Sequence, residues 1–268
     1  MGRKAVFFDC DGTLLSHHTN TVPASAKLAL KALQENGILT VLSTGRHLCE
    51  LKKLSALNGL HFDAYITMNG AYSFDEKGII EEWPIEAEDI QTVYEFLKKH
   101  IVPVQFFEAE HTFISSVNDT VIRSQQMIHT PVPETGRTER ILEEPVYMMV
   151  PFGIQESEPL IRSLNHVAVT RWSEHDACDL IHESAGKERG MRAVMKRYGI
   201  ERGDAAAFGD AMNDHSMLEE AGIGVCMGNG DPSLKETADY VTDDIDENGI
   251  LHGLIEIGFL KESLIGGK

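Results

Sequence analysis

The chain has 268 residues, 42% hydrophobic and 25% charged, the composition of an ordinary soluble globular protein long enough for one full core and a smaller second one. Its 24 lysines and arginines face 42 acidic residues, a formal net charge of -18, which argues against nucleic acid and anionic membrane as generic partners because both are bound through neutralised phosphates. No apolar run approaches the roughly 20 residues needed to span a bilayer, and the N-terminal residues enter a strand pattern without a signal-like segment, so a cytoplasmic location is expected.

In chain order, the first apolar run, Ala5 to Phe8, is short enough for one buried strand and ends in Asp9-Cys10-Asp11-Gly12-Thr13. In an open parallel sheet ligands bind beyond the carboxyl ends of the strands, so Asp9 and Asp11 are presented to a substrate. Pro23 opens a helix through Asn36, with Ala26, Ala29, Leu30 and Leu33 on one face and Gly37 as its stop signal. A second strand, Ile38 to Ser43, ends in Thr44-Gly45-Arg46, and another helix is predicted from there through Asn58. The run Ala64 to Thr67 leads into Met68-Asn69-Gly70-Ala71. This β-α-β-α-β rhythm predicts a doubly wound parallel α/β sheet with right-handed crossovers.

From residue 83 to 182 the rhythm changes, and most of the prolines fall here. Helices are predicted over 86–100, 119–128 and 155–165, and strands over 102–107, 112–116, 146–150, 167–172 and 178–182. This reads as an inserted α+β module. Beyond Ser184 the first pattern resumes, with helices over 189–198 and 213–221 and strands over 205–208, 223–226 and 240–242. The domain plan is therefore a Rossmann-like domain in two parts, 1–82 and 183–268, interrupted by a module over 83–182. Such a module is placed to close over the active edge. Cys10, Cys49, Cys178 and Cys226 show no pairing pattern and read as free thiols, and His17-His18 reads as a solvated loop.

Four motifs fall at strand ends or helix starts: Asp9-Cys10-Asp11-Gly12-Thr13, Ser43-Thr44-Gly45-Arg46, Lys187, and Gly209-Asp210-Ala211-Met212-Asn213-Asp214. Together, and in this order, they resemble the haloacid dehalogenase superfamily of phosphohydrolases. Thr67-Met68-Asn69-Gly70-Ala71, Met227-Gly228-Asn229-Gly230 and Asn248-Gly249 resemble its Cof-type members, which carry a C2-type cap. The resemblance implies a magnesium-dependent phosphatase of small phosphorylated metabolites, sugar phosphates first, acting through an aspartyl phosphate. A phosphomutase of the phosphomannomutase type is the runner-up, and a non-catalytic phosphometabolite sensor a third reading.

The same resemblance distributes the roles. Asp9 matches the nucleophile, and a carboxylate with a reference pKa of about 3.9 is ionised at neutral pH without an activating base. Asp11 matches the general acid and base. Asp9, the backbone carbonyl of Asp11, and Asp210 would hold Mg2+, with Asp214 supporting the metal through water or contacting Lys187. Thr44, Gly45 and Arg46 match the phosphate loop, and Lys187, in preference to Arg189, the cation beside the phosphoryl group. Asn213 bears on phosphate or metal, or else caps a helix. Asn69 lies at the rim of the site, or else only forms a tight turn. His111, Arg123, Arg171 and His175 of the inserted module could meet a ligand or face water.

Overall fold

The computed structural model describes residues 3–128, 130–172 and 176–264. The chain opens with β1 (Ala5–Phe8), α1 (Ala24–Glu35), β2 (Leu39–Ser43), the single turn α2 (Leu48–Leu51), β3 (Ala64–Thr67), β4 (Tyr72–Asp75) and β5 (Gly78–Glu82). There follow α3 (Ala87–Leu97), β6 (Val104–Phe107), β7 (Thr112–Ile114), α4 (Asp119–Met127), β8 (Met148–Pro151), α5 (Ile154–Ile161), β9 (Val167–Arg171) and β10 (Cys178–His182). The last third holds α6 (Lys187–Tyr198), β11 (Ala205–Gly209), α7 (His215–Glu220), β12 (Ile223–Cys226), α8 (Pro232–Thr237), β13 (Tyr240–Val241) and α9 (Gly249–Glu256). No described helix is long and apolar enough to cross a membrane.

Two compact units emerge. The first comprises the residues up to Gly45, Leu54–Glu81 and those from Gly186 on; the second comprises Arg46–Lys53 and Glu82–Ala185. An eight-stranded sheet runs in the order β13-β12-β11-β1-β2-β3-β4-β5. Its strands from β13 to β3 pair in parallel, and β4 runs antiparallel to β3. The central strands are apolar on both faces, as a sheet covered on both sides requires. Phe7, Val41, Ile66, Met191, Val194 and Ala207 pack in one core cluster. Phe8 and Phe208, neighbours across β1 and β11, stack with ring centroids 5.4 Å apart. Ahead of β2, α1 buries Ala26, Ala29, Leu30 and Leu33 and stops where Gly37 takes φ +71°.

The second unit is built on a five-stranded antiparallel sheet in the order β7-β6-β8-β10-β9. Its core gathers Ile90, Val93, Phe106, Met149, Leu160 and Leu180. The buried Asp89 carboxylate accepts from the backbone N–H groups of Asn165 and His166, each at 2.9 Å, pinning α3 to the turn before β9.

Two expectations change. The helix predicted through Asn58 is only the turn α2 followed by a 3-10 turn at Ser55–Leu57. Of its leucines only Leu51 is buried, so no apolar face offsets the cost of nucleating a longer helix. That segment, placed by pattern in the first part of the plan, groups with the second unit over Arg46–Lys53. Hydrogen bonds from His47 and Cys49 to the backbone carbonyls of residues 108–110 hold it there.

Candidate active site

The parallel register sets Phe8 opposite Leu42 of β2 and Phe208 of β11. The residues that leave these three strands, Asp9, Thr44 and Asp210, therefore emerge at one sheet edge, the carboxyl edge where ligands bind in such sheets. The Asp9 N–H still donates to Phe208 O at 2.9 Å, and the Thr44 N–H to Ile66 O at 2.8 Å, so both residues are fixed by extensions of the strand ladders. Asp9 and Thr44 are buried.

After β1 the chain turns at Gly12, whose φ is +84°. A Cβ there would run into the Asp210 carboxylate, so glycine answers both a backbone and a space requirement. Next in the chain, Thr13 Oγ1 donates to Asp210 Oδ1 at 2.8 Å. The turn is braced from the far end of the chain by Asn229, whose side chain donates to Gly12 O at 2.7 Å and accepts from the Ile245 N–H at 3.0 Å.

Lys187 opens α6 and is 2% exposed. Its position depends on a close backbone approach: Gly70, at φ +94°, touches the Gly186 carbonyl, and no Cβ fits between them. From there the Lys187 ammonium donates to Asp9 Oδ1 and to Asp214 Oδ1, both at 2.6 Å. Asp214 is completely buried, and its second oxygen accepts from the N–H groups of Asp210 and Ala211 at 3.0 and 3.1 Å.

Among the described residues, Asp9, Asp210 and Asp214 each bring a carboxylate oxygen within 4.8 Å of the other two. Three carboxylates against one ammonium leave negative charge uncompensated. Burial, with the Asp214 carboxylate next in weight, pushes Asp9 well above the ordinary carboxylate value, against the opposing pull of Lys187. The same two causes push Asp210 up to about 7. Burial would lower the Lys187 ammonium, but Asp214 and Asp9 outweigh it and hold the lysine above its usual value. The neighbours of Asp9 thus oppose its charge, an influence that its reference value alone does not carry. A hard divalent cation fits this donor set, because it takes only oxygen ligands and supplies the missing positive charge. Both oxygens of Asp214 are already occupied by donors, whereas Asp9 Oδ2 and Asp210 Oδ2 accept no hydrogen bond among the described residues. Those two oxygens are not engaged by a donor and are open to a cation.

Of the other expected residues, Asn69 has φ +53° and its N–H donates to Thr44 O at 3.0 Å, so it both makes the turn and borders the phosphate loop. Its amide oxygen is 3.1 Å from where a Cβ at Gly45 would stand, a fit too tight for most side chains. The Asn213 amide lies 3.5 Å from Asn69 Oδ1, and the residue preceding α7 is Asp214, so Asn213 is not a helix cap. Asp11 is half-buried and its carboxylate is outside the three-carboxylate group. Arg46 falls in the second unit. There, Arg171 is paired with Glu158 at 2.8 Å, Arg123 reaches Thr120 on its own helix, and His111 is exposed; His175 lies outside the described residues. Thr13 and Asn229 stood inside recognised motifs without a role. Their partners, 197 and 217 residues away, give no local signal.

The family model described as haloacid dehalogenase-like hydrolase matches residues 6–254. YkrA of Bacillus subtilis (strain 168), provisionally named a phosphatase, is 32% identical over 263 residues, covering 97% of this chain and 100% of its own. The pyridoxal phosphate phosphatase YbhA of Escherichia coli (strain K12) is 26% identical, with 91% of this chain and 94% of its own covered. Among solved structures, the subclass IIB sugar phosphatase BT4131 superposes with a TM-score of 0.81 at 32% identity, covering 96% of this chain and 100% of its own.

Proposed function

The chain belongs to the haloacid dehalogenase-like hydrolase family, as one of its Cof-type phosphatases, and on that premise we propose that it hydrolyses small phosphorylated metabolites through an aspartyl phosphate on Asp9. The observation that carries this reading is the Lys187 ammonium clamped between Asp9 and Asp214 at 2.6 Å, beside the carboxylate of Asp210.

In this proposal Asp9 attacks phosphorus and the ester P–O bond breaks, while Asp11 gives its proton to the departing alkoxide. Asp11, now a carboxylate, then takes a proton from water as that water attacks phosphorus, which frees inorganic phosphate and restores Asp9. Lys187 orients the nucleophile and offsets charge on the transferring oxygens. Thr44, Gly45, Asn69 and Asn213 border the place for those oxygens, and Arg46 is the cation nearest to them in sequence. Magnesium, held by Asp9, Asp210 and the Asp11 backbone carbonyl with Asp214 in support, would supply charge neutralisation and fix the phosphoryl group in line. The second unit is proposed as a cap that selects the organic part of the substrate.

Sugar phosphates are the first class proposed, supported by the likeness to a sugar phosphatase; the likeness to a pyridoxal phosphate phosphatase keeps the panel broad. A cytoplasmic location belongs to the same proposal. The test is release of inorganic phosphate from a generic aryl phosphate, with and without magnesium, followed by a panel of phosphorylated sugars, polyols, nucleotides and cofactors. No release from any of them under either condition would overturn the reading.

A further inference from the structure

Between β12 and α8 the chain turns through Met227-Gly228-Asn229-Gly230-Asp231, a motif for which the proposed reaction has no task. The turn is bound to the end of β11 at two points. The Met227 N–H donates to Gly209 O at 2.9 Å, and the Asp231 N–H to Asp210 O at 2.7 Å. A Cβ at Gly230 would stand 3.0 Å from Asp210 O and 2.9 Å from Met227 O, so glycine there permits the close approach. The backbone of Asp210 is thus held by this turn as well as by its own strand.

From the same turn the Asn229 amide reaches two further segments: Nδ2 donates to Gly12 O at 2.7 Å, and Oδ1 accepts from the Ile245 N–H at 3.0 Å. Gly12 directly follows Asp11, so Asn229 ties the turn that leaves β1 to the turn that holds Asp210. All of these groups belong to the first unit. Bonds within the β1 turn, from the Gly12 N–H to Leu15 O at 2.9 Å and from the Leu15 N–H to Cys10 O at 2.7 Å, set its own shape. They do not set its distance from Asp210. The Thr13 hydroxyl grips the Asp210 carboxylate, whose side-chain torsions can follow it, and leaves the spacing of the two backbones open. That spacing is tight, because no Cβ fits between Gly12 and the Asp210 carboxylate. Asn229 is itself exposed, so its amide works as a link and not as core packing.

We propose that Asn229 is a positioning residue for the divalent cation: its amide cross-braces the Gly12 turn to the Asp210 turn and so sets the spacing of the two segments that bring oxygen ligands to the metal. The inference rests on the cation reading of the Asp9 and Asp210 donor set and is independent of which phosphate ester is the substrate.

Three variants test it. Asn229→Ala loses both amide bonds. Asn229→Asp keeps an acceptor for the Ile245 N–H but sets an oxygen against Gly12 O, and its added negative charge alone would tighten the binding of a cation. Ser16→Ala removes the bond from Ser16 Oγ to Asp246 Oδ2 at 3.0 Å, which ties the same loop after β1 to the tail without reaching Asp210. The measurements are the dissociation constant of magnesium for the metal-free protein, by calorimetry, and the melting temperature without metal. Both Asn229 variants are expected to bind magnesium about tenfold more weakly with the melting temperature little changed, and Ser16→Ala to stay within about twofold of the wild type. Magnesium binding by Asn229→Ala within about twofold of the wild type, equal or tighter binding by Asn229→Asp, or an equal loss in Ser16→Ala would overturn the proposal. If the alanine variant does not fold, the aspartate and Ser16 variants decide. A wild-type protein that binds no magnesium overturns the brace, whereas one that binds magnesium yet releases no phosphate from any ester overturns the functional reading and leaves the brace standing.

Discussion

Thr13 Oγ1 donates a hydrogen bond of 2.8 Å to Asp210 Oδ1 across 197 residues of sequence. It engages one oxygen of the Asp210 carboxylate and fixes that carboxylate's orientation. Outer partners of metal-binding carboxylates typically control affinity by about 10- to 100-fold. Thr13→Val, which removes the hydroxyl at nearly constant volume, is expected to raise the magnesium concentration needed for half-maximal activity by about tenfold or more while leaving the melting temperature of the metal-free protein little changed. An unchanged magnesium titration would show that the bond serves only the turn.

Asp9→Asn keeps nearly all of the volume and removes the charge proposed to attack phosphorus. Turnover is expected to vanish in a folded protein, by at least about 1000-fold. Asp11→Asn should depend on the leaving group instead: alkyl esters, whose alkoxide needs the proton, are expected to lose far more activity than aryl esters. Steady-state assays on a matched alkyl and aryl pair check this, and equal losses would remove Asp11 as the acid.

Chelation should silence the enzyme and magnesium restore it. Calcium, which favours more ligands at longer distances, is expected to restore little. Asp210→Ala should abolish activity or raise the magnesium requirement beyond reach. Full activity after exhaustive chelation, followed by metal analysis of the sample, would take the cation out of the reaction.

A pH-dependent stability is expected from Asp75. Burial raises this carboxyl, but Arg197 at 2.8 and 3.0 Å, the Lys77 N–H at 2.7 Å and the Tyr198 hydroxyl at 3.0 Å outweigh it and hold the pKa below the ordinary value. A depressed carboxyl stabilises the fold above its unfolded pKa, about 3.9, and loses that contribution as pH falls through the lower folded value. Asp75→Asn is therefore expected to lower the melting temperature at pH 7, with the gap from the wild type closing in acid below about pH 4. A gap that stays constant from neutral pH into acid would contradict it.

The sequence showed the strands that carry the site because each is an unbroken apolar run ending in a polar motif, as in Ala5 to Phe8 before Asp9 and Ala205 to Phe208 before Gly209-Asp210. It did not show β4 and β5, which are short and whose pairing depends on tertiary neighbours more than on intrinsic propensity. Nor did it show α8 and α9, of six and eight residues, which lie in a tail read only as motifs. In the site, strand-end position pointed to Asp9, and the family resemblance of the later motifs to Thr44 and Asp210. The Lys187–Asp214 contact is one of the two readings that the resemblance offered for Asp214, whereas the work of Thr13 and Asn229 and the upward push on Asp9 arise between groups far apart in the chain, and sequence order carries no record of such distances.

The strand order has a consequence for synthesis. β1 takes one neighbour, β2, from the next few dozen residues, but its other neighbour, β11, begins only at Ala205. On the ribosome, β1 therefore waits with one hydrogen-bonding edge bare and its apolar faces half covered while the whole second unit is made. That unit draws its contacts from Arg46–Lys53 and Glu82–Ala185 and has its full complement of chain before the first unit does. Ribosome-bound chains stalled with the exit tunnel covering residues beyond Ala185 are then expected to protect the second unit from protease and to leave the first open, and no phosphatase activity can appear until Asp210 and Asp214 have emerged.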